Sequence, residues 1–250
     1  MFKFAANLTY LFTEYPLLDR FQAAADAGFE GVEVLFPYDD ATTEIARALR
    51  QSAMPFVLMN GPPPNWTGGD RGFAAVPGLE ARFQQDFRRA MRFAERLRPQ
   101  HIHLMAGVAA GPQARTTFVE NLKWAADRAP HQSLTIEPLN AKDMPGYFLQ
   151  DFALAAEIIA EVDAPNVRLQ FDLYHADMIH GDVIGLWEKY AAITRHIQIG
   201  GAPGRNEPQD SAVDLPAFFA AVEASGYDGF ISGEYKPRAD TLDGLAWMRQ

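Results

Sequence analysis

GFISGEYKPR, residues 229–238, is a short apolar run that ends in an acid. Phe230 and Ile231 read as a buried strand, Glu234 follows at its C-terminal end, and Pro237 stops the run. A carboxylate delivered there is costly to bury without a partner, and Lys236 stands two residues on. One such instance is explained equally well by a surface acid. The arrangement recurs three times upstream, however, which changes its meaning. Glu137 closes SLTIEP (133–138), Asp172 closes VRLQFD (167–172), and Gln198 lies near the end of RHIQIG (195–200).

Working outward, short apolar runs alternate with longer segments of helical period. KFAANL (3–8), GVEVLF (31–36), PFVLM (55–59) and HIHLM (101–105) are the earlier strands, and GFISGEY (229–235) is the last. Between them, helix faces are marked by Leu17, Leu18, Phe21, Ala24 and Ala25; by residues 42–51; and by Phe83, Phe87, Met91 and Ala94 within 80–97. Further helices are expected at 116–128, over Leu154 to Val162, at 183–190 and over Leu215 to Val222, with a last helical segment at 241–248. Eight strands alternating with eight helices in 250 residues predict a single-domain (β/α)8 TIM barrel over residues 1–250. The absence of a GxGxxG turn after the first strand argues against a dinucleotide-binding sheet.

Composition narrows the function classes. The chain has a formal net charge of −10, which disfavours nucleic acid as a partner because phosphate binding needs clustered Lys and Arg. It has no cysteine, so disulfides and thiolate metal sites are excluded and a cytoplasmic location is permitted. No apolar run reaches the length of about 18 residues that spans a membrane, and the N-terminus lacks a signal-peptide pattern. Homo-oligomer formation is compatible with these features.

In a (β/α)8 barrel, residues at the C-terminal strand ends converge on one mouth. Glu137, Asp172, Gln198 and Glu234 would stand there on consecutive strands, five to eight. Such a group either binds a hard divalent cation, Mg²⁺ or Mn²⁺, or repels until some members are protonated. A hydrogen-bonded polar layer without metal is the alternative. His175, three residues beyond Asp172 in FDLYH, is placed to point into the mouth. His101, His103 and His196 sit inside apolar strands and read as packing or supporting residues, His131 and His180 as surface residues.

The chain resembles the hydroxypyruvate isomerase family, within the xylose isomerase-like sugar isomerase and epimerase barrels. The stretches that carry this are ANLTYLF (6–12), GFEGVEVLFPYD (28–39), GGDRG (68–72), VENLKWAAD (119–127), IEPLN (136–140), FDLYH (171–175), HIQI (196–199), GRNEP (204–208) and GYDGFISGEYKPR (226–238). The resemblance implies that Glu137, Asp172, Gln198 and Glu234 ligate a divalent metal, and that Glu137 and Glu234 are the acid–base pair. It also implies that His175 contacts substrate oxygens and that Arg205 lies near the substrate. Departures fall in GGA (200–202), QDSAV (209–213) and NGPPPNW (60–66), while HLMAGV (103–108) leans toward relatives acting on 2-oxo-tetronates. These are loops that set substrate length.

The expected activity is metal-assisted interconversion of hydroxypyruvate and tartronate semialdehyde through an enediolate. A 2-oxo-tetronate is the rival substrate; a ketose 3-epimerase and a non-catalytic sugar-acid-binding barrel are the other readings. A small hydroxy-keto acid needs a cation for its carboxylate, and Lys236, Arg205 and Arg71 are the candidates. Phe36, Tyr38 and Trp66 are loop aromatics that would cover it.

Overall fold

The computed structural model describes residues 2–62 and 71–249. Eight parallel strands close in chain order: β1 (Lys3–Asn7), β2 (Gly31–Glu33), β3 (Phe56–Asn60), β4 (His101–His103), β5 (Ser133–Ile136), β6 (Val167–Asp172), β7 (Thr194–Ile199) and β8 (Phe230–Gly233). The seam pairs Phe4 with Ile231 and Ala6 with Gly233. Around the barrel lie α1 (Leu17–Asp26), α2 (Thr42–Gln51), α3 (Glu80–Leu97), α4 (Gly111–Arg128), α5 (Phe152–Val162), α6 (Leu173–His180), α7 (Val183–Tyr190) and α8 (Leu215–Ala224). None of the described helices is long and apolar enough to cross a membrane.

The two-residue period of the strands sorts their side chains. On β6, Val167, Leu169 and Phe171 join the main hydrophobic core, while Gln170 and Asp172 are buried on the opposite face. On β7, Ile197 and Ile199 pack outward, and His196 and Gln198 are buried inside. The outer core is strongly aromatic: Phe171 meets Trp187 edge-on at 5.4 Å and stacks at 6.2 Å on Phe218. The barrel interior is therefore unusually polar for a TIM barrel, and its polar groups must find partners.

Three expectations differ from what forms. Strands two, four, five and eight stop two or three residues before the expected runs do, with Val34 N still donating to Leu58 O and Leu104 N to Thr135 O just past the ends of β2 and β4. Helix α6 was not foreseen: Asp172 ends β6 and caps the next helix at once, accepting from Tyr174 N at 2.8 Å. The last segment, Thr241–Arg249, is 3₁₀ helix broken at Leu245. Asp151, Asp182 and Asp214 cap α5, α7 and α8 in the same way as Asp172.

Candidate functional site

Polar residues occupy the C-terminal end of every strand, not only of the last four. Asn7, Glu33, Asn60, His103 and Asp172 are terminal residues of their strands, and Glu137 and Glu234 follow theirs directly. Gln198 is the penultimate residue of β7. All eight are buried. Four of them, Asn60, His103, Glu137 and Glu234, line a cavity of about 60 Å³ whose walls also include Tyr10, Arg71, His175 and Arg205. A larger cavity of about 390 Å³, lined by Arg20, Asp39, Asp40 and Arg89, opens beside it and shares Phe36. None of the strand-end carboxylates lines the larger one, whereas Glu137 and Glu234 line the smaller.

Arg205 lies at the centre of the charge distribution. Its Nη2 donates to Asp172 Oδ2 at 2.9 Å and to Glu234 Oε1. The guanidinium is flanked by the rings of Tyr10 and Tyr174, 5.5 and 5.0 Å from their centroids. Glu234 Oε2 also accepts from Asn7 Nδ2 at 2.9 Å. Burial is the main influence on all three carboxyls and raises their pKa values, while Arg205 pulls each of them back. Asp172 is pushed up to about 6, helped down by the backbone N–H groups of its cap, and Glu234 to about 8. Glu137 is raised well above the usual range, by burial and by the charges of Asp172 and Glu234.

His175 is oriented by Asn140, whose backbone N–H donates to Nδ1 at 3.0 Å. A backbone N–H can only donate, so Nδ1 is the acceptor and the ring proton belongs on Nε2. That nitrogen lies 3.7 Å from Asp172 Oδ2. Burial and the Arg205 charge push the His175 pKa well below its ordinary value, so the ring is neutral and offers one N–H. His103 is likewise pushed down to about 3 by burial, and its Nδ1 lies 3.3 Å from Asn60 Oδ1 and 3.4 Å from Glu137 Oε2.

Beneath the carboxylates runs a second polar layer. Gln170 Nε2 donates to Glu137 Oε2 at 3.0 Å and to Gln198 Oε1 at 2.6 Å, and Thr135 Oγ1 donates to Gln170 Oε1 at 2.9 Å. Glu33, fully buried, accepts from Asn7 Nδ2 at 3.0 Å, Gln198 Nε2 at 2.8 Å and His196 Nε2 at 2.8 Å. Because Glu33 takes the Gln198 amide nitrogen, the carboxamide oxygen is turned away from it toward Gln170.

Of the residues singled out from sequence, Glu137, Glu234, His175, Arg205 and Arg71 line one cavity, with Asp172 bonded to Arg205 beside it. Gln198 is joined to the group through Gln170 rather than by lining the cavity. Lys236 is a correction: its side chain is exposed and does not line the cavity. The main chain explains why, since Lys236 N donates to Arg205 O at 2.7 Å and Lys236 O accepts from Asn206 Nδ2, which turns the side chain to solvent. Phe36 lines both cavities, Tyr38 the larger, and Trp66 and positions 68–70 of the glycine-rich loop lie outside the described residues. Sequence reasoning misses Glu33, Asn7 and Gln170. The rule that selected Glu137 and Glu234, a polar oxygen at a strand end, selects Asn7 as well, and Glu33 satisfies it only because β2 ends there in the fold.

Glu137, Asp172 and His175 each offer a donor atom within 4.8 Å of the others, and this buried group could hold a metal ion. The chemistry of the set fits a hard cation, since three buried carboxylates and a carboxamide oxygen supply only oxygen donors. His175 fits less well as a ligand, because Asn140 engages Nδ1 and the proton sits on Nε2.

A family model described as xylose isomerase-like TIM barrel matches residues 21–250. A 2-oxo-tetronate isomerase of Cupriavidus necator is 42% identical over 253 residues, covering 99% of this chain and 97% of the relative. The hydroxypyruvate isomerase of Escherichia coli is 36% identical over 254 residues, covering 99% and 98%. A crystal structure described as AP endonuclease, family 2, from Brucella melitensis superposes with a TM-score of 0.96 at 42% identity, covering 100% of this chain and 98% of that one.

Proposed function

The chain belongs to the xylose isomerase-like TIM barrel family, and on that footing we propose that it is an aldose–ketose isomerase of a short hydroxy-keto acid. Hydroxypyruvate is the leading substrate and tartronate semialdehyde its product. The observation that carries this reading is the pair Glu137 and Glu234, two carboxyls of raised pKa on the wall of one small cavity.

Isomerisation moves a proton between adjacent carbons, so it needs a base, an acid and stabilisation of the enediolate oxygens. Glu234 is the base, because Arg205 and Asn7 both donate hydrogen bonds to its ionised form. Glu137 is the acid, because burial and the charges of Asp172 and Glu234 raise its pKa and favour its protonated form. Glu234 removes a proton from the hydroxymethyl carbon of hydroxypyruvate. The electron pair moves to the carbonyl oxygen, and the proton of the terminal hydroxyl passes to that oxygen. As the terminal carbon closes to the aldehyde, Glu137 gives its proton to the former carbonyl carbon, leaving Glu234 with the abstracted proton and Glu137 ionised. The Nε2–H of neutral His175 is a donor for a substrate oxygen, and Arg71 and Arg205 on the cavity wall are the cations beside the carboxylate.

Glu137, Asp172, Gln198 and Glu234 would hold the metal, with Mg²⁺ or Mn²⁺ the ions such oxygen donors suit. Bound there, it would supply Lewis-acid stabilisation of charge on the substrate oxygens.

A four-carbon 2-oxo-tetronate is the second reading, favoured by the 42% identity to the Cupriavidus necator isomerase. An endonuclease reading is opposed by the net charge of −10. The test is turnover of hydroxypyruvate, 2-oxo-tetronates and free ketoses in D₂O with Mg²⁺ or Mn²⁺. Solvent deuterium at the carbon that gains hydrogen is expected for a short keto acid. No exchange with any of them would leave a binding barrel in place of the enzyme.

A further inference from the structure

Arg205 is unusual in both backbone and surroundings. Its φ of 53° lies in the left-handed region, which a non-glycine residue rarely adopts without being held there. Several contacts hold it. Gly201 and Asn206 exchange backbone hydrogen bonds on either side of the turn. The Arg205 carbonyl accepts from Lys236 N at 2.7 Å, which ties the turn to the chain leaving β8. Tyr10 and Tyr174 then flank the guanidinium, and the side chain retains only 14% exposure. The fold thus fixes one permanent cation in the midst of three buried carboxyls.

That cation uses the same oxygens a metal would need. Nη2 alone takes Asp172 Oδ2 and Glu234 Oε1, the facing lone pairs of two of the proposed metal donors. A Mg²⁺-sized ion requires its oxygen ligands at about 2.0–2.1 Å, and a guanidinium N–H and such an ion cannot share one carboxylate lone pair.

We propose that Arg205 is a resident counter-cation that competes with the divalent ion for Asp172 and Glu234. The inference rests on the metal-supported reading of this site. Metal-free, the guanidinium neutralises the carboxylates; when the ion enters, the guanidinium leaves these two oxygens and turns its N–H groups to the cavity, where an anionic ligand binds. The pinned backbone and the two tyrosines keep it beside the cavity through the exchange. Arg205 is then a positioning residue for the metal as well as a cation for the ligand.

The experiment is a titration of chelator-treated full-length protein with Mn²⁺, by calorimetry or by the electron-spin signal of free Mn²⁺. Parent, Arg205→Met and Arg205→Gln are compared, with Tm measured metal-free and saturated. Competition predicts Mn²⁺ binding at least about tenfold tighter in both variants. It also predicts a lower metal-free Tm at pH 8 and a wider gap between metal-free and saturated Tm. If one variant fails to fold, the other decides. Equal or weaker Mn²⁺ binding in the variants overturns the proposal, as does the absence of Mn²⁺ uptake by every protein. Turnover by the parent is measured separately and judges the isomerase reading: an inactive parent that shows the predicted titrations loses the isomerase assignment and keeps the competition.

Discussion

Replacing Glu33 separates its charge from its hydrogen-bonding role. Glu33→Leu leaves Asn7 Nδ2, Gln198 Nε2 and His196 Nε2 without their acceptor. A buried polar group that loses its partner costs about 1–3 kcal/mol, and Asn7 keeps Glu234 as a second acceptor. The two fully orphaned groups total about 2–6 kcal/mol. At about 2–4 °C per kcal/mol for a chain of this size, Tm falls by about 4–24 °C. Glu33→Gln behaves differently. Its carbonyl oxygen can keep the two bonds from Asn7 and Gln198, leaving its NH₂ facing His196 Nε2. His196 Nδ1 has no hydrogen-bond partner, so moving the ring proton there breaks no existing bond and lets Nε2 accept. The stability loss should stay within about 1 kcal/mol.

The charge still disappears in Glu33→Gln, and it is a charge that raises the pKa of Glu234. One nitrogen of Asn7 bonds both carboxylates, at 3.0 and 2.9 Å, so the bonded oxygens lie no more than about 6 Å apart. At an effective dielectric constant of about 20 and the full separation of about 6 Å that is about 2.8 kcal/mol, or about two pH units. The acid limb of the kcat/KM profile should move to lower pH by about that amount. Thermal melts and pH–rate profiles of the two variants make the assay. The reasoning is refuted if Glu33→Gln melts as low as Glu33→Leu, or if its acid limb stays in place.

Glu137→Gln and Glu234→Gln should each lower kcat by about 10²–10⁴-fold, with circular dichroism unchanged and Tm at pH 8 equal or higher, since each removes a member of a crowded anion cluster; activity near the parent's removes that residue from proton transfer. Metal-free protein should lose stability as pH rises from about 4.5 through 8. Glu234 has its folded pKa raised to about 8 and Asp172 to about 6, so the folded state binds more protons than the unfolded state across that window. Differential scanning fluorimetry from pH 5 to 8.5 reads this, and Glu234→Gln should flatten the slope. Gly107→Ala should destabilise by about 3 kcal/mol or more and raise KM. Gly107 has φ +89°, and an added Cβ would fall on the backbone oxygen of Gly72, the neighbour of Arg71; an unchanged melt would show that the loop gives way freely.

The barrel was legible because period and alternation are local properties: Phe83, Phe87 and Ala94 mark a helix face without any knowledge of what they touch. The carboxylates of strands five, six and eight were legible because each ends an apolar run. Glu33 was not, since GVEVLF reads as one longer strand and its acid then falls mid-run; in the fold the ladder stops at Glu33 itself. Helix α6 escaped because no loop residues separate it from β6. The fate of Lys236 was hidden in a contact 31 residues away, where its backbone meets Arg205. Spacing could place Lys236 near the mouth but not turn its side chain outward.

Asn7 binds Glu33 and Glu234 through a single nitrogen, tying the first strand to the last. A ribosome releases Glu234 some 227 residues after Asn7. Until β8 docks, the Glu234 charge that helps to raise the Glu137 pKa is not beside it. The last acid of the cluster to be synthesised is therefore the one that closes the ring from β8 to β1. Arg205, which precedes Glu234 in synthesis, is in place to receive it.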